Sequence, residues 1–254
     1  MSIVAVIPAR YDSTRFEGKA LAKATGKYLL QHVYERVRAC ALIEKVIIAT
    51  DDERIVRAAG EFSADCRMTR TDHICGTDRI AEVAADLAAE IIINVQGDEP
   101  EVTPEILETL VGRMQGEPQI KMATLARYFR ANEDSADPNL VKVVLDDRGY
   151  ALYFSRSVIP HSRDCPGGIG SADQCLLHLG IYGYRRDFLL AMAAMEPSSL
   201  EKLEKLEQLR ALQAGVRIAV SVVDYHGRGI DTPEEYAAWV RSGGPDAPVQ
   251  QEKQ

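Results

Sequence analysis

The sequence predicts an α/β fold built on a mostly parallel sheet, and three observations lead to that prediction. Apolar runs rich in β-branched residues recur along the chain, as IVAVI (3–7), KVIIAT (45–50), EIIINVQ (90–96) and VKVVL (141–145). Both faces of these runs are apolar, which is typical of strands that are covered on both sides. Amphipathic helical patterns lie between them, so parallel strands joined by helical connections are expected.

The helical patterns between the first strands are regular. Residues 28–41 and 77–88 space their apolar side chains three or four positions apart, which places those side chains on one face of a helix. Ligands of an open α/β sheet bind beyond the carboxyl ends of the strands. The loop after the first strand is therefore a candidate site.

The pattern changes from about residue 151. Two strand-like segments, YALYFSRSVIP and LHLGIYGYRRDF, flank a loop rich in Gly, Pro and Asp, with no helix between them. This predicts a smaller antiparallel excursion over about 151–185. The excursion either pairs with another subunit or forms an ordinary β-hairpin on a monomer, and the pattern does not choose between these two.

The chain then returns to helices and a strand. Residues 200–215 predict one helix that ends at Gly215. Its leucines at positions 200, 203, 206 and 209 are expected to face the core. A strand over 217–223 and a final helix follow, and the helix is capped by Thr232 or Asp231.

Length and composition fit one domain. The chain has 254 residues, of which 46% are hydrophobic, enough for a substantial core. A single domain is expected over residues 1–242. The last residues, 243–254, have the composition of a disordered tail.

The net charge indicates which partners are disfavoured, and the cysteines indicate the redox state of the compartment. The net charge of -8 disfavours broad binding to nucleic acid or to an anionic membrane surface. No segment reaches the roughly 18 consecutive apolar residues that membrane insertion requires. The five cysteines are scattered and form no CxxC pair, which favours a reducing, cytoplasmic setting.

The loop after the first strand gathers three cations, Arg10, Arg15 and Lys19, in IPARYDSTRFEGKAL. It lacks the glycine spacing of a P-loop and of the GxGxxG fingerprint. Guanidinium and ammonium groups at the end of a buried strand favour the binding of a polyphosphate. A solvated basic loop is the alternative.

Two acidic residues could complement these cations. Asp98 follows an apolar strand in NVQGDEP, where a carboxylate beside a phosphate site would suit Mg²⁺. An ordinary turn before Pro100 is the alternative. Asp231, in GRGIDTPEE, taken by itself reads as the N-cap of the last helix.

Several motifs together make the sequence recognisable. They run in order from about residue 2 to residue 240: IPARYDSTRFEGKAL, MTRTDHICGTDRIAEV, NVQGDEP, PNLVKVVLDDRGYALYFSRSVIP, HLGIYGYR, LEKLEQLRAL and GRGIDTPEE. The combination resembles the 3-deoxy-manno-octulosonate (Kdo) cytidylyltransferases. The resemblance implies a Rossmann-like, GT-A-like nucleotidyltransferase fold. It also implies transfer of CMP from CTP to the anomeric hydroxyl of Kdo for lipopolysaccharide biosynthesis, with Mg²⁺ and as a homodimer.

The resemblance also implies roles for individual residues. Catalysis would depend on Arg10, Lys19, Asp98 and Asp231, and the two aspartates would hold one or two Mg²⁺ ions. The groups implied to bind CTP are Ala9, Arg10, Ser13, Arg15, Lys19, Arg70, Cys75 and Gln96. Those implied to bind the sugar are Gln96, Arg156, Arg163, His178, Tyr182, Glu207 and Gln208.

Three alternatives stay open at this point. A related enzyme could use another acid sugar, such as 8-amino-Kdo or sialic acid. A glycosyltransferase would need a DxD metal motif, which TDD at 50–52 does not supply. A non-catalytic regulator would bind CTP without releasing pyrophosphate.

Cys75 departs from the serine usual in the family, and a thiol is the weaker hydrogen-bonding group.

Overall fold

The structure is a computed structural model, and it describes residues 1–73, 75–163 and 175–244. The chain divides into two compact units, which are described one at a time below. The first comprises Met1–Ala89, Ile93–Leu107 and His226–Gln254, and the second comprises Glu90–Ile92 and Glu108–Tyr225. The single domain over residues 1–242 stays a prediction, because two compact units can belong to one domain. Most of the predicted tail, residues 245–254, lies outside the described residues.

The first unit is built on parallel strands. Strand β1 (Ile3–Ala9) pairs in parallel with β2 (Lys45–Thr50), and β2 pairs in parallel with β3 (Asp65–Met68). On the other side of β1 lies β4 (Ile91–Asn94), so the order is β3-β2-β1-β4. Every residue of β1 is buried. This agrees with a strand that is apolar on both faces.

Helices connect and cover these strands. The first unit contains a short 3-10 helix at Lys19–Leu21 and the helices α1 (Leu29–Arg38), α2 (Glu53–Glu61), α3 (Gly76–Ala85) and α8 (Pro233–Arg241). The apolar faces predicted for residues 28–41 and 77–88 are the buried faces of α1 and α3. The predicted α/β class, with a mostly parallel sheet flanked by helices, is confirmed.

The second unit is centred on β5 (Met122–Tyr128). This strand pairs in parallel with β9 (Ile218–Val222) and antiparallel with β8 (Leu176–Arg185). The sequence pattern did not single out β3 or β5. The antiparallel strands predicted within 151–185 are present, and residues 164–174 of the connecting loop lie outside the described residues.

The apolar run at 141–145 forms β6 (Lys142–Leu145), and for this run the expectation of a parallel strand is wrong. It pairs antiparallel with β7 (Ala151–Ser155) and with β8. The reason is the turn between β6 and β7. Gly149 adopts a φ of 75°, and its N–H donates to the main-chain oxygen of Asp146 at 2.9 Å. The turn folds β7 back onto β6.

The single helix predicted for 200–215 is also wrong, because the structure has two short helices. These are α6 (Ser199–Glu204) and α7 (Gln208–Gln213), separated by Lys205 at a φ of 54°. Leucines three apart drift around a helix that has 3.6 residues per turn, so one helix cannot bury four of them. The break buries Leu206 and Leu209 but leaves Leu203 80% exposed.

The remaining helices are α4 (Pro104–Gly116) and α5 (Arg186–Ala193). Gly215 follows α7 with a φ of 78°, in agreement with its predicted role as a helix stop. Within the described ranges, no helix has both the length and the apolar character that crossing a bilayer requires.

Candidate active site

The amino group of Lys19 lies at the centre of a polar cluster in the first unit. Its Nζ donates to Asp98 Oδ2 at 2.7 Å, to the main-chain oxygen of Ile230 at 2.7 Å and to Asp231 Oδ1 at 3.2 Å. The Lys19 side chain is only 14% exposed, which strengthens these charge-assisted bonds. Three residues that are far apart in the sequence therefore meet in the fold.

Asp231 has its carboxylate directed to this cluster because its neighbour caps the last helix. Thr232 is the N-cap of α8, and its side chain accepts from the Glu235 N–H at 3.2 Å. The Glu235 carboxylate in turn accepts from the main-chain N–H groups of Asp231 and Thr232. Asp231 Oδ1 pairs with Arg15 Nη2 at 2.9 Å. Of the two capping residues that the sequence allowed, Thr232 is the cap, and Asp231 faces two cations.

The position of Asp98 is set by its neighbours. Its main-chain oxygen accepts from the Ile230 N–H at 2.9 Å. Gly97, immediately before it, passes so close to β1 that an added Cβ would lie 3.1 Å from the main-chain oxygen of Pro8. Only glycine allows this approach without moving the backbone. The turn that presents Asp98 is therefore packed directly against the end of β1.

Arg10 and Arg70 flank the segment that leads into α3. Arg10 Nη2 donates to the main-chain oxygen of His73 at 3.3 Å, which links the end of β1 to that segment. Arg70 is 69% exposed, and its Nε lies 3.4 Å from Asp72 and 3.6 Å from Glu82. The ring of His73 hydrogen bonds to the Glu82 carboxylate. Both arginines are exposed, where an anionic ligand can reach them.

The other residues implied to bind CTP lie around the ends of β1 and β4. Ala9 is buried at the end of β1, and Ser13 is partly exposed in the loop that follows. Cys75 is the N-cap residue of α3 and is also partly exposed. Gln96 Oε1 would lie 3.9 Å from a Cβ added to Gly76. Gln96 is therefore beside the N-terminus of α3, the positive end of the helix dipole.

Two further arginines brace this unit, and sequence reasoning missed both. Arg79 is fully buried and donates to Thr69 and, at 2.6 Å, to Asp51 Oδ2. Arg54 lies over the ring of Tyr11, 3.2 Å from the ring centre, and so holds the basic loop from the side of α2. No pattern marked Arg79, because arginine is ordinarily an exposed residue, and the exposed Arg54 does not stand out among the other charged residues of the sequence.

In the second unit, β8 brings His178 and Tyr182 together. Alternation along the strand places them on one face with Gly180, as predicted, and the ring centres of His178 and Tyr182 are 5.3 Å apart. Phe154 packs edge-on against His178 with ring centres 5.0 Å apart. Burial lowers the pKa of His178 to about 3, so its imidazole is neutral at pH 7.

Glu207 and Gln208 belong to the same unit. The pKa of Tyr182 is raised well above its usual range, mainly by burial and to a lesser extent by the neighbouring Tyr184 and Glu207. Gln208 is only 3% exposed, and no described residue accepts a hydrogen bond from its Nε2. A buried donor without a partner is costly, so this amide is suited to meet a ligand.

The two arginines considered for a sugar carboxylate differ in their surroundings. Arg156 donates to main-chain oxygens, at 2.7 Å from Nε to Glu204, 2.8 Å from Nη1 to Pro138 and 3.2 Å from Nη2 to Lys205. It therefore stabilises the break between α6 and α7. Arg163 is exposed, at the last described residue before a gap. Of the two, Arg163 has its guanidinium more accessible to a ligand.

The oxygen atoms around Lys19 suit a magnesium ion. Asp98 and Asp231 contribute carboxylates and Ile230 contributes a main-chain oxygen, all of them hard ligands of the kind Mg²⁺ prefers. These oxygens already hold one cation, the Lys19 ammonium. Among the described residues, no group of three His, Cys, Asp or Glu side chains forms a closed metal site. Mg²⁺ commonly binds through one or two carboxylates together with substrate phosphates, so an open donor set fits it.

Comparison with known proteins decides the family. The family described as cytidylyltransferase matches residues 4–218. A 3-deoxy-manno-octulosonate cytidylyltransferase from Pelobacter propionicus is 51% identical over 241 residues, which cover 92% of this chain and 94% of that protein. The chain belongs to the 3-deoxy-manno-octulosonate cytidylyltransferase family.

Solved structures agree with membership of the 3-deoxy-manno-octulosonate cytidylyltransferase family. CMP:2-keto-3-deoxy-manno-octonic acid synthetase complexed with CTP matches with a TM-score of 0.87 and 43% identity, over 96% of this chain and 100% of that one. A 4-diphosphocytidyl-2C-methyl-D-erythritol synthase from Anaerococcus prevotii has a TM-score of 0.62 at 14% identity, over 94% and 96% of the two chains, and shares the fold alone. The resemblance read from the motifs is confirmed, and the chain is a nucleotidyltransferase.

Proposed function

We propose that this chain transfers CMP from CTP to the anomeric hydroxyl of Kdo, giving CMP-Kdo and pyrophosphate. The observation that carries the proposal is the cluster of Lys19, Asp98 and Asp231 in a chain that belongs to this family. The cluster unites an ammonium group with two carboxylates. Attack on the α-phosphorus of CTP requires positive charge for the leaving pyrophosphate, which the Lys19 ammonium can provide together with a metal ion that the two carboxylates would hold.

On the nucleotide side, the basic loop holds the triphosphate. Arg10 and Arg15 offer forked donors to phosphate oxygens, and Lys19 offers a point charge. The exposure of Arg10 and Arg15 supports this role, because neither guanidinium is enclosed by the fold. The segment from Arg70 to Cys75, together with Gln96, Ser13 and the main chain of Ala9, binds the rest of the nucleotide.

Asp98 and Asp231 hold Mg²⁺ through their carboxylate oxygens. When bound, the ion supplies positive charge that stabilises negative charge on phosphate oxygens. Lys19 keeps the two carboxylates oriented toward a common point, and Arg15 holds Asp231 from its exposed side. Lys19 and Arg15 direct positive charge toward the phosphates, while the two carboxylates would hold the ion.

On the sugar side, His178, Tyr182, Glu207 and Gln208 bind Kdo hydroxyls. The Gln208 Nε2, from which no described residue accepts a hydrogen bond, and the neutral His178 ring support this assignment. Arg163 binds the sugar carboxylate. Arg156 contributes by stabilising the segment that carries Glu207 and Gln208, through its bonds to the main chain.

We further propose that the enzyme acts in the cytoplasm, in lipopolysaccharide biosynthesis, as a homodimer. The scattered cysteines support a reducing compartment. The family resemblance and the antiparallel excursion predicted over about 151–185 support the dimer. Light scattering at working concentration should give twice the mass of the chain, and a monomer would overturn the dimer.

The function is tested by measuring pyrophosphate release from CTP and Mg²⁺ with Kdo, 8-amino-Kdo and sialic acid in parallel. Release is expected with Kdo and should disappear when a chelator removes the metal. Release with another sugar alone would keep the chemistry and change the substrate. CTP binding without release with any of the three would overturn the enzyme assignment in favour of a regulator.

Alkylation should report nucleotide binding beside Cys75. Bound CTP is expected to slow the reaction of Cys75 with iodoacetamide several-fold, because the nucleotide covers the partly exposed start of α3. Cys66 is the internal control. Burial, and then Asp65, raise the pKa of Cys66 to about 11, so it reacts slowly with or without CTP. Peptide mass spectrometry follows both thiols, and equal rates for Cys75 with and without CTP would contradict its placement.

Gly97→Ala should damage activity although it adds only a methyl group. The new Cβ would sit 3.1 Å from the main-chain oxygen of Pro8, so the turn before Asp98 must shift. A shift of a few tenths of an ångström at Asp98 should lower kcat/KM several-fold, less than the roughly hundredfold cost of a 1 Å misplacement. Gly112→Ala in α4 is the matched control, because nothing lies within 4 Å of its added Cβ. Steady-state kinetics that leave the Gly97 variant at wild-type level would contradict the tight packing.

A further inference from the structure

Strand β8 contains a β-bulge opposite Thr124, the residue whose side chain contacts His178. Strand β5 pairs with β8 so that Thr124 lies opposite Tyr182, while its neighbour Leu125 lies opposite Leu179. Gly180 and Ile181 are therefore extra residues on β8. Bulges turn main-chain groups out of the regular ladder and re-aim side chains, and they are frequent beside active sites.

The side chain of Thr124 completes this bulge. Thr124 is fully buried, and its Oγ1 lies 2.8 Å from the main-chain oxygen of Ile181 and 3.0 Å from that of Leu179. The same Oγ1 lies 3.1 Å from His178 Nε2. One hydroxyl thus has two carbonyl oxygens and one ring nitrogen as neighbours.

The number of protons available determines which group donates in each hydrogen bond of Thr124 Oγ1. A carbonyl oxygen can only accept, and a hydroxyl has a single proton to donate. That proton must go to one of the two carbonyls, because otherwise both would face oxygen lone pairs in a buried place. The Thr124 oxygen can then only accept from His178. His178 Nε2 must carry the ring hydrogen.

We infer that Thr124 is a positioning residue, which fixes His178 as the Nε2–H tautomer and so makes Nδ1 a hydrogen-bond acceptor. Within the described part of the chain, no residue donates a hydrogen bond to Nδ1. A neutral ring nitrogen with a lone pair accepts from a hydroxyl and repels a carboxylate. His178 therefore selects a sugar hydroxyl that donates its proton, and the sugar carboxylate is bound elsewhere.

This inference deepens the proposed function and rests on it for the identity of the sugar. The tautomer itself depends only on contacts within the second unit. A histidine tautomer is set by the hydrogen bond that its other nitrogen makes. Thr124 supplies that bond from a neighbouring strand, and the two carbonyls of the bulge fix the direction in which the threonine can donate.

The first test measures the tautomer in the free wild-type protein by long-range ¹H–¹⁵N NMR, with the His178 signals assigned by their loss in His178→Asn. The expected result is a protonated Nε2 and an unprotonated Nδ1. An Nδ1–H ring, or an even mixture of the two tautomers, would overturn the inference. Since no sugar and no variant of Thr124 is needed, this result stands even if the proposed function fails.

The second test uses two variants of Thr124 with the full reaction. Thr124→Ser keeps the hydroxyl and should keep both the tautomer and the KM for Kdo. Thr124→Val removes it and should give a mixed tautomer and a KM for Kdo raised about five- to tenfold, the worth of one hydrogen bond, with the KM for CTP unchanged. A Val variant with wild-type tautomer and KM would overturn the role, as would equal losses for both substrates. Failure of the wild-type protein with every acid sugar would instead overturn the proposed function.

A third test addresses the hydroxyl directly. Kdo analogues in which one hydroxyl at a time is replaced by hydrogen or by fluorine are compared as substrates. At the position that meets His178, both replacements should raise KM equally, since fluorine can accept but cannot donate. If fluorine restored binding at every position that hydrogen weakens, His178 would be a donor and the inference would be wrong.

Discussion

Asp98→Asn is expected to lower kcat for pyrophosphate release by about 10²–10³-fold, which is the usual cost of removing a group that stabilises transition-state charge. Asp98 is one of two carboxylates that contact Lys19, and one of two proposed magnesium ligands. An amide keeps the shape but removes the charge that attracts the metal. The rate is measured by coupled detection of pyrophosphate.

A control separates this effect from a general loss of acidic charge. Asp187→Asn removes a carboxylate that is 96% exposed, and it should leave kcat unchanged. A calorimetric titration with Mg²⁺ and CTP adds a readout besides activity, in which Asp98→Asn should weaken the metal-dependent heat. Full activity in Asp98→Asn, or a metal titration identical to wild type, would exclude Asp98 as a ligand.

Glu201→Ala is expected to destabilise the second unit by about 3–5 kcal/mol, because it leaves a buried arginine without its counter-charge. Arg210 Nε and Nη2 donate to the two carboxylate oxygens of Glu201 at 2.8 Å and 2.6 Å, and both side chains are buried. Glu201 also belongs to the capping box of α6 with Ser198. Urea unfolding gives the change in free energy from the midpoint and the slope.

Asp187→Asn serves again as the control, since the exposed pair of Arg186 and Asp187 should contribute less than about 0.5 kcal/mol. The comparison sets a buried pair against an exposed one in the same unit. A loss below about 1 kcal/mol in Glu201→Ala would show that Arg210 finds other partners, such as the main-chain oxygens of Met192 and Met195 nearby.

The same pair predicts a pH dependence. Burial by itself would raise the pKa of Glu201, but hydrogen bonds from Arg210 and from the Ser198 N–H outweigh it, and the net shift is downward. A carboxyl whose pKa is lowered by folding stabilises the protein above its unfolded pKa of about 4.3. That contribution is lost as the pH falls through the folded value. The difference in urea stability between wild type and Glu201→Ala should therefore be constant from pH 6 to 8 and shrink below about pH 4.

Much of the fold followed from sequence patterns because burial on both faces leaves a clear signal. The runs that became β1, β2 and β4 are apolar throughout, and the helices that became α1 and α3 show the expected period. The helix over 200–215 was mispredicted for a physical reason. Its leucines recur at a period of three, which a helix cannot bury along its whole length, and the chain resolves the conflict at Lys205.

The sequence predicted the part of the candidate site in which charged residues directly follow a buried strand. Three cations after a buried strand, in an acidic chain, drew attention to Lys19, and the structure brings Lys19 to Asp98 and Asp231. Thr124 left no such signal, because it sits in an apolar strand where a β-branched residue is ordinary. Its role depends on a two-residue bulge in the partner strand, and pairing register is not visible in either strand alone.

The contacts of Lys19 also limit when this protein can work during its synthesis. Its partners Asp98 and Asp231 lie 79 and 212 residues further along the chain. A growing polypeptide therefore cannot assemble the cluster until nearly all of it has left the ribosome, although residues 108–225 can already have folded. Lys19, near the N-terminus, therefore completes its contacts only after residues 230 and 231 have been made. A product shortened before residue 230 would lack two of the three oxygens around Lys19, and we expect it to be inactive if the proposed role of the cluster holds.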